Sequence, residues 1–445
     1  MAIASTSSSR PKAWANARLA VLLKAFRHRN YRLFFGGQLI SVCGTWMQVV
    51  AQSWLVYRLT GSAVLLGLVG FCSQIPVLLL SPLGGVVADR YDRRRVIIGA
   101  QVAAMLLTFV LAGLTLSGLV RVWHIPVLAA MLGIVNAFDV PTRQAFVVDM
   151  VGKDDLINAI ALNSSMFNAA RILGPSLAGV LVASIGEGWC FFANAVSYLA
   201  VIAGLLFMRL DSQPRRRPLE STLARIGAGF VYVWQARPIR TLLLLVGLVS
   251  LVGMPYSVLM PIFADKILHG GPMALGLLMG AAGVGALLGA LALASRRGVR
   301  GLDRWIALST AGFGLSLILF SLSRSFWLSA ALLVPVGFCM IGQLASSNTL
   351  IQMMVPDDLR GRAMSVYSMM LIGMAPFGSL LAGILAQHLS APCAVAAGGG
   401  VCLVGAAVFG AHLGGFRQDA RQAIAAGDLD DGTADAAADH GGKPG

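Results

Sequence analysis

Residues 84–95 read GGVVADRYDRRR, a charged turn between two long apolar runs. Residues 64–87 before the turn and residues 96–120 after it carry no Asp, Glu, Lys or Arg. Each run is longer than the roughly 20 apolar residues that a helix needs to cross a bilayer. The turn must therefore lie in water at one membrane face, and its four arginines place that face in the cytoplasm.

The composition of the whole chain is that of a membrane protein. Hydrophobic residues make up 57% of the 445 residues and charged residues 12%, with a mean hydropathy of +0.78. A soluble domain carries about 25% charged residues. We therefore predict an all-α membrane protein with twelve transmembrane helices. The spans lie near Leu33–Tyr57, Val64–Ala88, Val96–Gly118, Ile125–Val148, Leu156–Ile185, Cys190–Met208, Thr241–Ile262, Met273–Ala294, Ile306–Leu322, Trp327–Met354, Met364–Leu389 and Cys393–His412.

Positive charges alternate between successive loops, and this predicts the orientation. The loops on the side of residues 84–95 hold most of the arginines, whereas the other loops hold only Arg58, Arg121, Lys266 and Arg324. Because cytoplasmic loops carry such an excess, we expect both termini in the cytoplasm. The formal net charge of +15 then reflects topology and contact with the lipid bilayer. Nucleic acid is not expected as a partner, because no basic patch is interleaved with aromatic residues.

An internal repeat divides the twelve spans into two groups of six. Residues 154–156 (Asp-Asp-Leu) recur as residues 357–359. Such a repeat predicts two parallel six-helix bundles with a substrate cavity between them near mid-membrane. Ala292 stands where the first half has Asp89, so the halves are not equivalent. The expected limits are 1–32 (basic cytoplasmic segment), 33–208 (first bundle), 209–240 (cytoplasmic central loop), 241–412 (second bundle) and 413–445 (disordered cytoplasmic tail). Residues 13–29 fit either an amphipathic helix on the inner leaflet or a disordered tail.

The charged turn also resembles a family signature. Gly85, Asp89, Arg90, Arg93 and Arg94 match the loop 2–3 motif of the major facilitator superfamily of secondary transporters, with Asp92 where the usual motif has glycine. The resemblance implies that these five residues form a conformational gate. From the residues themselves, Gly85 is expected to let neighbouring helices approach closely, and the arginines to anchor the turn at anionic headgroups.

A second stretch resembles the fifth-helix antiporter motif of facilitator-type drug exporters. Gly174, Pro175 and Gly179 carry this likeness, with Ala170 in place of the first glycine of the motif. In that family the motif accompanies export. The alternative is a Gly-Pro pair that only bends a membrane helix.

The likeness narrows to one bacterial branch of the superfamily. Residues 41–48, 139–146 and 171–175 resemble the branch of transmembrane secretion effectors, which is similar to the enterobactin exporter and to macrolide efflux proteins. The similarity extends over residues 26–416. It implies a transporter and says little about the solute.

Ionisable residues inside the spans are the candidates for coupling, because a charge in hydrocarbon is costly. Asp139 and Arg143 are four residues apart and share a helix face. Asp139 is either a carboxylate that exchanges protons during transport or the permanent partner of Arg143 in a structural latch. Arg171, close to mid-depth, fits contact with an anionic substrate, a shifting ion pair, or a pair with Asp139.

Polar and aromatic side chains on several spans are the candidates for lining the cavity. Few charges with many amides and aromatics suit a bulky amphipathic organic solute. Interhelical hydrogen bonding is the alternative role for each of them. The candidates are Gln48, Gln52, Asn136, Asn168, Tyr256, Gln343 and Asn348.

Several other classes of protein are excluded or disfavoured. No phosphate loop of the G-x-x-x-x-G-K-[ST] type occurs, and no hydrolase or zinc-protease motif, so we expect neither an ATP-driven pump nor an enzyme. The six cysteines form no C-x-x-C pair, and no metal or cofactor is expected. The sequence thus predicts a monomeric secondary exporter of a small molecule, working by alternating access with protons as the coupling ion. The alternatives are an importer of the same fold and a membrane receptor or scaffold that does not transport.

Overall fold

The computed structural model describes residues 24–209, 234–296, 298 and 301–419. Most of the expected N-terminal segment, central loop and C-terminal tail lies outside the described residues, as do Arg297 and Arg300. The described residues include twelve helices that are long and apolar enough to cross a membrane. The predicted number of spans is therefore confirmed.

The helices follow one another with short connections. Gly61 ends the first with a φ of 61°, and the side chains of Ser62 and Asp92 accept hydrogen bonds from the N–H groups of Leu65 and Arg95 at the next two helix starts. The helices are α1 (Arg29–Thr60), α2 (Ala63–Arg90), α3 (Arg93–Leu116), α4 (His124–Val151), α5 (Leu156–Ile185), α6 (Glu187–Leu206), α7 (Arg237–Ile267), α8 (Gly271–Ala294), α9 (Leu302–Leu322), α10 (Phe326–Met354), α11 (Asp357–His388) and α12 (Ala391–Ala411).

The same helix pairings occur in both groups of six. In the first group α2 packs on α4, and α3 packs on both α4 and α6; in the second, α8 packs on α10, and α9 packs on both α10 and α12. This correspondence confirms the predicted all-α fold of two six-helix bundles related by a parallel repeat, which we call the first half (α1–α6) and the second half (α7–α12).

Two helix crossings join the halves. We call the membrane end that holds the charged turn at residues 91–92 the basic end, and the end that holds Gly61 the opposite end. At the α2–α11 crossing a Cβ on Gly67 would lie 2.5 Å from the Ser379 carbonyl oxygen, and at the α5–α8 crossing a Cβ on Gly276 would lie 2.7 Å from the Gly179 Cα. Only glycine permits backbones this close.

The crossings extend from the opposite end to mid-depth. Tyr57 on α1 donates to Asp265 on α7 at 3.0 Å, and the Ala63 N–H donates to Gln387 on α11, both at the opposite end. At mid-depth a Cβ on Gly283 of α8 would lie 3.0 Å from the Arg171 carbonyl oxygen of α5. The halves are therefore in contact at the opposite end and at mid-depth.

Candidate substrate cavity

A cavity of about 480 Å³ lies between the two halves. Helices α1, α2, α4, α5 and α6 line it from the first half, and α7, α8, α10 and α11 from the second. This is the position in which the repeat predicted it, and the volume is in the range that holds a drug-sized ligand.

The wall formed by α7 has an irregular backbone. A π-helical segment at Val249–Gly253 is followed by a 3-10 segment at Met254–Leu259, where Pro255 lacks the N–H that a regular turn would use. Tyr256 lies in the second segment and faces the cavity. Broken transmembrane helices at mid-depth commonly form substrate sites in transporters. The sequence analysis treated α7 as one uniform span, although Gly253 and Pro255 were signals of this break.

Most of the cavity surface is apolar and deformable. Four methionines line it, and thioether side chains adapt to ligands of different shapes. Trp46 and Tyr256 add aromatic surface. The methionines are Met254, Met260, Met279 and Met340.

Arg171 is the one charged side chain among the described residues that line the cavity. Its guanidinium carbon lies 5.8 Å from the centre of the Trp46 ring, within the distance of a cation–π contact. It also interacts electrostatically with Tyr256. Among the described residues no acidic side chain forms an ion pair with Arg171, so the pair with Asp139, one of the alternatives for this residue, is not made in this structure.

The structure brings some predicted residues to the cavity and leaves others away from it. Gln48, Gln52, Asn136, Arg171, Pro175 and Tyr256 line it. Asn168 is half-buried and donates to the Ser164 carbonyl of its own helix at 2.9 Å. Asn348 is half-buried and accepts from Gln352, whereas Gln343 is fully buried and donates to Ser347 at 3.4 Å.

Asp139 and Arg143 form a buried network inside the first half. Asp139, 3% exposed, lies 2.9 Å from the Arg143 guanidinium and accepts from Gln101 of α3 at 3.1 Å. Arg143 also donates to Gln38 of α1 at 3.0 Å. The pair thus connects α1, α3 and α4 of one half and does not bridge the halves.

A second polar network leads from this pair toward the cavity, and the sequence analysis missed it. Gln48 accepts hydrogen bonds from Thr108 and from Asn194. Tyr198, which lines the cavity, lies within reach of these two side chains and interacts electrostatically with Asp139. Isolated polar residues such as Gln101 and Asn194 in otherwise apolar spans were the signal that could have found it.

The charged turn is held by contacts within the first half. The Arg93 guanidinium donates to the carbonyl oxygens of Ala88 and Ala145 and lies 3.0 Å from Asp149, but 3.5 Å from the Asp89 carboxylate. Arg94 donates to the Leu206 carbonyl at 2.9 Å. These bonds fix the ends of α2, α3, α4 and α6 relative to one another.

Asp89 and Arg90 are exposed, and the expected close approach at Gly85 is not made in this structure. A Cβ on Gly85 would meet nothing within 4 Å, whereas one on the preceding Gly84 would overlap the Ala137 carbonyl oxygen of α4. The expectation of a close helix approach was therefore wrong for Gly85 in this structure, because it is Gly84 that faces the neighbouring helix.

The antiporter-like residues lie where α5 crosses its neighbours. A Cβ on Gly174 would lie 2.8 Å from the Cys43 carbonyl of α1, and Gly179 faces Gly276 of the other half. The Pro175 carbonyl also contacts Gly276. Pro175 and Gly179 therefore contribute to the contact between halves, and Gly174 contributes to packing inside the first half, beyond any bend in the helix.

The sequence analysis also missed a charged cluster at the basic end. Asp155, just before α5, lies 2.7 Å from Arg27, 2.7 Å from His28 and 3.2 Å from Lys24. The hydrogen bond with His28, followed by the contacts with Lys24 and Arg27, holds the pKa of the Asp155 carboxyl below its usual value, against the opposite effect of burial. The cluster fixes the start of α1 to the start of α5.

Two six-helix halves with a cavity at their interface define a secondary transporter of the major facilitator type. The chain belongs to the transmembrane secretion effector family, whose model matches residues 21–428.

Related proteins align with most of the chain. The staphyloferrin A transporter of Staphylococcus aureus is 29% identical over 80% of this chain and 89% of its own length. The multidrug efflux pump Tap of Mycolicibacterium fortuitum is 30% identical over 78% of this chain and 87% of its own length. The enterobactin exporter EntS of Shigella boydii serotype 4 is 27% identical over 85% and 90%. The predicted family and branch are confirmed.

Solved structures show the same fold. The nucleoside transporter NupG superposes with a TM-score of 0.69 at 13% identity, over 86% of this chain and 98% of that one. A bacterial homologue of the iron transporter ferroportin in its inward-facing state superposes with a TM-score of 0.62 at 18% identity, over 85% and 98%. At sequence identities this low, the structural similarity supports a shared fold and no conclusion about function.

Proposed function

We propose that this transporter is a secondary active exporter, which moves a bulky amphipathic organic solute out of the cytoplasm by alternating access. It would act as a monomer in a bacterial inner membrane, with both termini in the cytoplasm. The observation that carries the proposal is the cavity between halves that are in contact at the opposite end and at mid-depth, whereas a Cβ on Gly85 at the basic end would meet nothing within 4 Å. Because the basic end is the expected cytoplasmic end, this is the state that would load a solute from the cytoplasm.

The relatives support the direction of transport. Two of the three carry efflux or export in their names, and they differ in solute, from drugs to a siderophore. An apolar cavity wall with four methionines suits such variety, because its side chains can repack around different solutes. The proposed solute is accordingly a siderophore or a drug-like compound.

Protons are the proposed coupling ion, and Asp139 the proposed site of their exchange. It is the one carboxylate among the described residues that lies deep inside a span; the others there, such as Asp89, Asp149, Glu187 and Asp265, lie near helix ends. Protonation would release Arg143 and weaken the bond from Gln101. The Tyr198–Asn194–Gln48 network would carry this change to the cavity wall.

The charged turn and the antiporter-like residues have proposed roles in the conformational exchange. Arg93 and Arg94 hold the basic end of the first half together as one body. Asp89 and Arg90 are exposed, and a Cβ on Gly85 would meet nothing within 4 Å. We propose that this surface meets the second half when the basic end closes, and we assign the gate to these three residues. Gly174, Pro175 and Gly179 would keep α5 close to α1 and α8 during the exchange.

Proton-gradient measurements in everted membrane vesicles test the proposal. Staphyloferrin A, enterobactin and a panel of amphipathic drugs are added to energised vesicles that contain a pH-sensitive dye. We expect at least one compound to dissipate the gradient with the wild type and not with Asp139→Asn. Glu187→Gln, which removes a carboxylate paired with Arg58 at the opposite end, is the matched control and should behave as the wild type.

The other outcomes separate the alternatives. An equal response in Asp139→Asn would keep proton coupling and assign Asp139 to a structural pair with Arg143. Accumulation of a labelled compound inside energised everted vesicles is expected for an exporter. Uptake in the opposite direction, measured in right-side-out vesicles, would favour the importer. No transport in either direction for any compound would contradict the proposal.

A further inference from the structure

The cavity has an unbalanced positive charge. Arg171 is its one charged lining residue in the described chain, and no acidic partner faces it there. Asp139, the acidic residue expected as its partner, is already bound by Arg143 and Gln101. At 15 residues from the start of α5, Arg171 lies about 22 Å along the helix from the basic end, so the unpaired charge is near mid-membrane.

The contacts of Arg171 leave its hydrogen-bond donors available. Trp46 covers the guanidinium through a cation–π contact at 5.8 Å, and such a contact uses the face of the group and not its N–H donors. A guanidinium has five N–H donors in a planar fork that matches a carboxylate, sulfonate or phosphate. A cation at this depth without a fixed partner is costly, and an anionic ligand group would offset that cost.

The neighbouring amide presents donors as well. The Gln48 side-chain oxygen accepts from both Thr108 and Asn194. This leaves the NH₂ group of Gln48 as the part that can face a ligand in the cavity. Arg171 and Gln48 together favour a ligand rich in acceptors. The methionines and the rings of Trp46 and Tyr256 favour an apolar or aromatic body.

We propose that the cavity selects an organic anion with a bulky aromatic or apolar body, and that Arg171 is the residue that determines this charge preference. The inference rests on the proposed function only in that the cavity is taken as the transported solute's binding site. Its test is a binding measurement, which needs neither a proton gradient nor transport.

Three probes of one shape test the charge preference: naphthalene-2-sulfonate, the neutral naphthalene-2-sulfonamide and the cationic 2-naphthylmethylammonium. Their binding to the purified full-length protein is measured by titration calorimetry in a neutral detergent. We expect the wild type to bind the sulfonate about tenfold more tightly than the ammonium, as one charge-assisted contact allows. In Arg171→Gln the preference should disappear. Arg171→Lys should still prefer the sulfonate to the ammonium. It should bind the sulfonate more weakly than the wild type, because lysine lacks the paired N–H donors of the guanidinium.

Arg121→Gln is the matched control. It removes one positive charge from the loop before α4 at the opposite end, outside the cavity, and should keep the full preference for the sulfonate. Thermal unfolding of each variant checks that the fold is intact. A structural role of Arg171 alone would lower stability without changing the order of the three probes.

Two results would overturn the inference: a wild type that binds the sulfonate no better than the ammonium, including one that does not bind it at all, and a preference that persists in Arg171→Gln. The anion could also come from a lipid. Competition by phosphatidylglycerol but not by phosphatidylcholine would assign it to a lipid headgroup, and absence of competition to a water-soluble solute. A clear preference without any transport would leave the inference standing and contradict the proposed function.

Discussion

At the residue scale, the two charges deep in the first half differ in their surroundings. Asp139 is enclosed by Arg143 and Gln101, whereas Arg171 faces the cavity without an ion-pair partner among the described residues. Both residues were predicted from their depth in the spans, because charge in hydrocarbon is rare and costly. Their separation was not predictable, since it depends on which face of α5 turns toward α4 and which toward the second half.

The Asp155 cluster leads to a prediction about pH. The lowered pKa of Asp155 means that its contacts stabilise the fold above the unfolded pKa of about 3.9 and that this stabilisation is lost as the pH falls through the lower folded value. Asp155→Asn should therefore lower the midpoint of thermal unfolding at pH 7 and at pH 5. The difference from wild type should begin to shrink as the pH falls below about 4 and should vanish only below the folded pKa.

The neighbouring exposed carboxylate provides the control for this experiment. Asp154→Asn removes a solvent-exposed side chain and should leave the midpoint unchanged at every pH. A difference between wild type and Asp155→Asn that stayed constant down to pH 3 would show that the cluster acts through packing and not through charge.

At the element scale, the helices were predictable and their crossings were not. The number of spans follows from the lengths of the apolar runs, because only a helix that is long and apolar enough can cross the hydrocarbon core. The segment boundaries of α7 and the identity of the crossing glycines depend on the partner helix. Gly84 and Gly85 are adjacent glycines that the sequence does not distinguish, yet only Gly84 packs against α4.

The α5–α8 crossing should be sensitive to one added methyl group. A Cβ in Gly276→Ala would lie 2.7 Å from the Gly179 Cα, and a backbone cannot yield as a side chain can. We expect a loss of about 1–3 kcal/mol in stability, seen as a lower midpoint of thermal unfolding, together with loss of transport. Gly99→Ala on α3, where nothing lies within 4 Å, should leave stability equal or raise it by up to about 1 kcal/mol. Equal effects of both variants would contradict this account of the crossing.

The bond from Tyr57 to Asp265 should hold the opposite end closed. Tyr57→Phe removes the donor at 3.0 Å and should shift the conformational balance toward an open opposite end by about 1–2 kcal/mol, or roughly fivefold to thirtyfold in population. Spin labels at exposed positions 119 and 389 of a cysteine-free protein would measure the change as a longer distance between the halves.

Tyr91→Phe is the control for this measurement, because Tyr91 is a 65% exposed tyrosine at the basic end. It should leave the distance distribution as in the wild type. If Tyr57→Phe also leaves it unchanged, the glycine crossings alone keep the opposite end closed.

At the scale of the whole molecule, orientation in the membrane is open to a direct test. Cys393 is the exposed one of the six described cysteines and lies near the start of α12, at the opposite end. We expect a membrane-impermeant maleimide to label it in intact spheroplasts, and Cys393→Ser to remove the signal. A cysteine introduced by Arg95→Cys in the Cys393→Ser background, in the charged turn, should be labelled only in everted vesicles. The reverse pattern would place the basic end outside.

The distribution of contacts along the α5–α8 crossing has a consequence for energetics. A Cβ on Gly283 would lie 3.0 Å from the Arg171 carbonyl oxygen, and Gly283 is about 18 Å from the start of α8 and about 16 Å from its end. If the two halves rocked about this contact, both membrane ends would move by similar distances. Arg171, which lies beside the contact, would move little. Its charge would then scarcely be displaced through the membrane potential, where a full crossing is worth about 2.3 kcal/mol per 100 mV. The voltage dependence of the cycle would thus arise from the charges carried by the solute and the coupling ion.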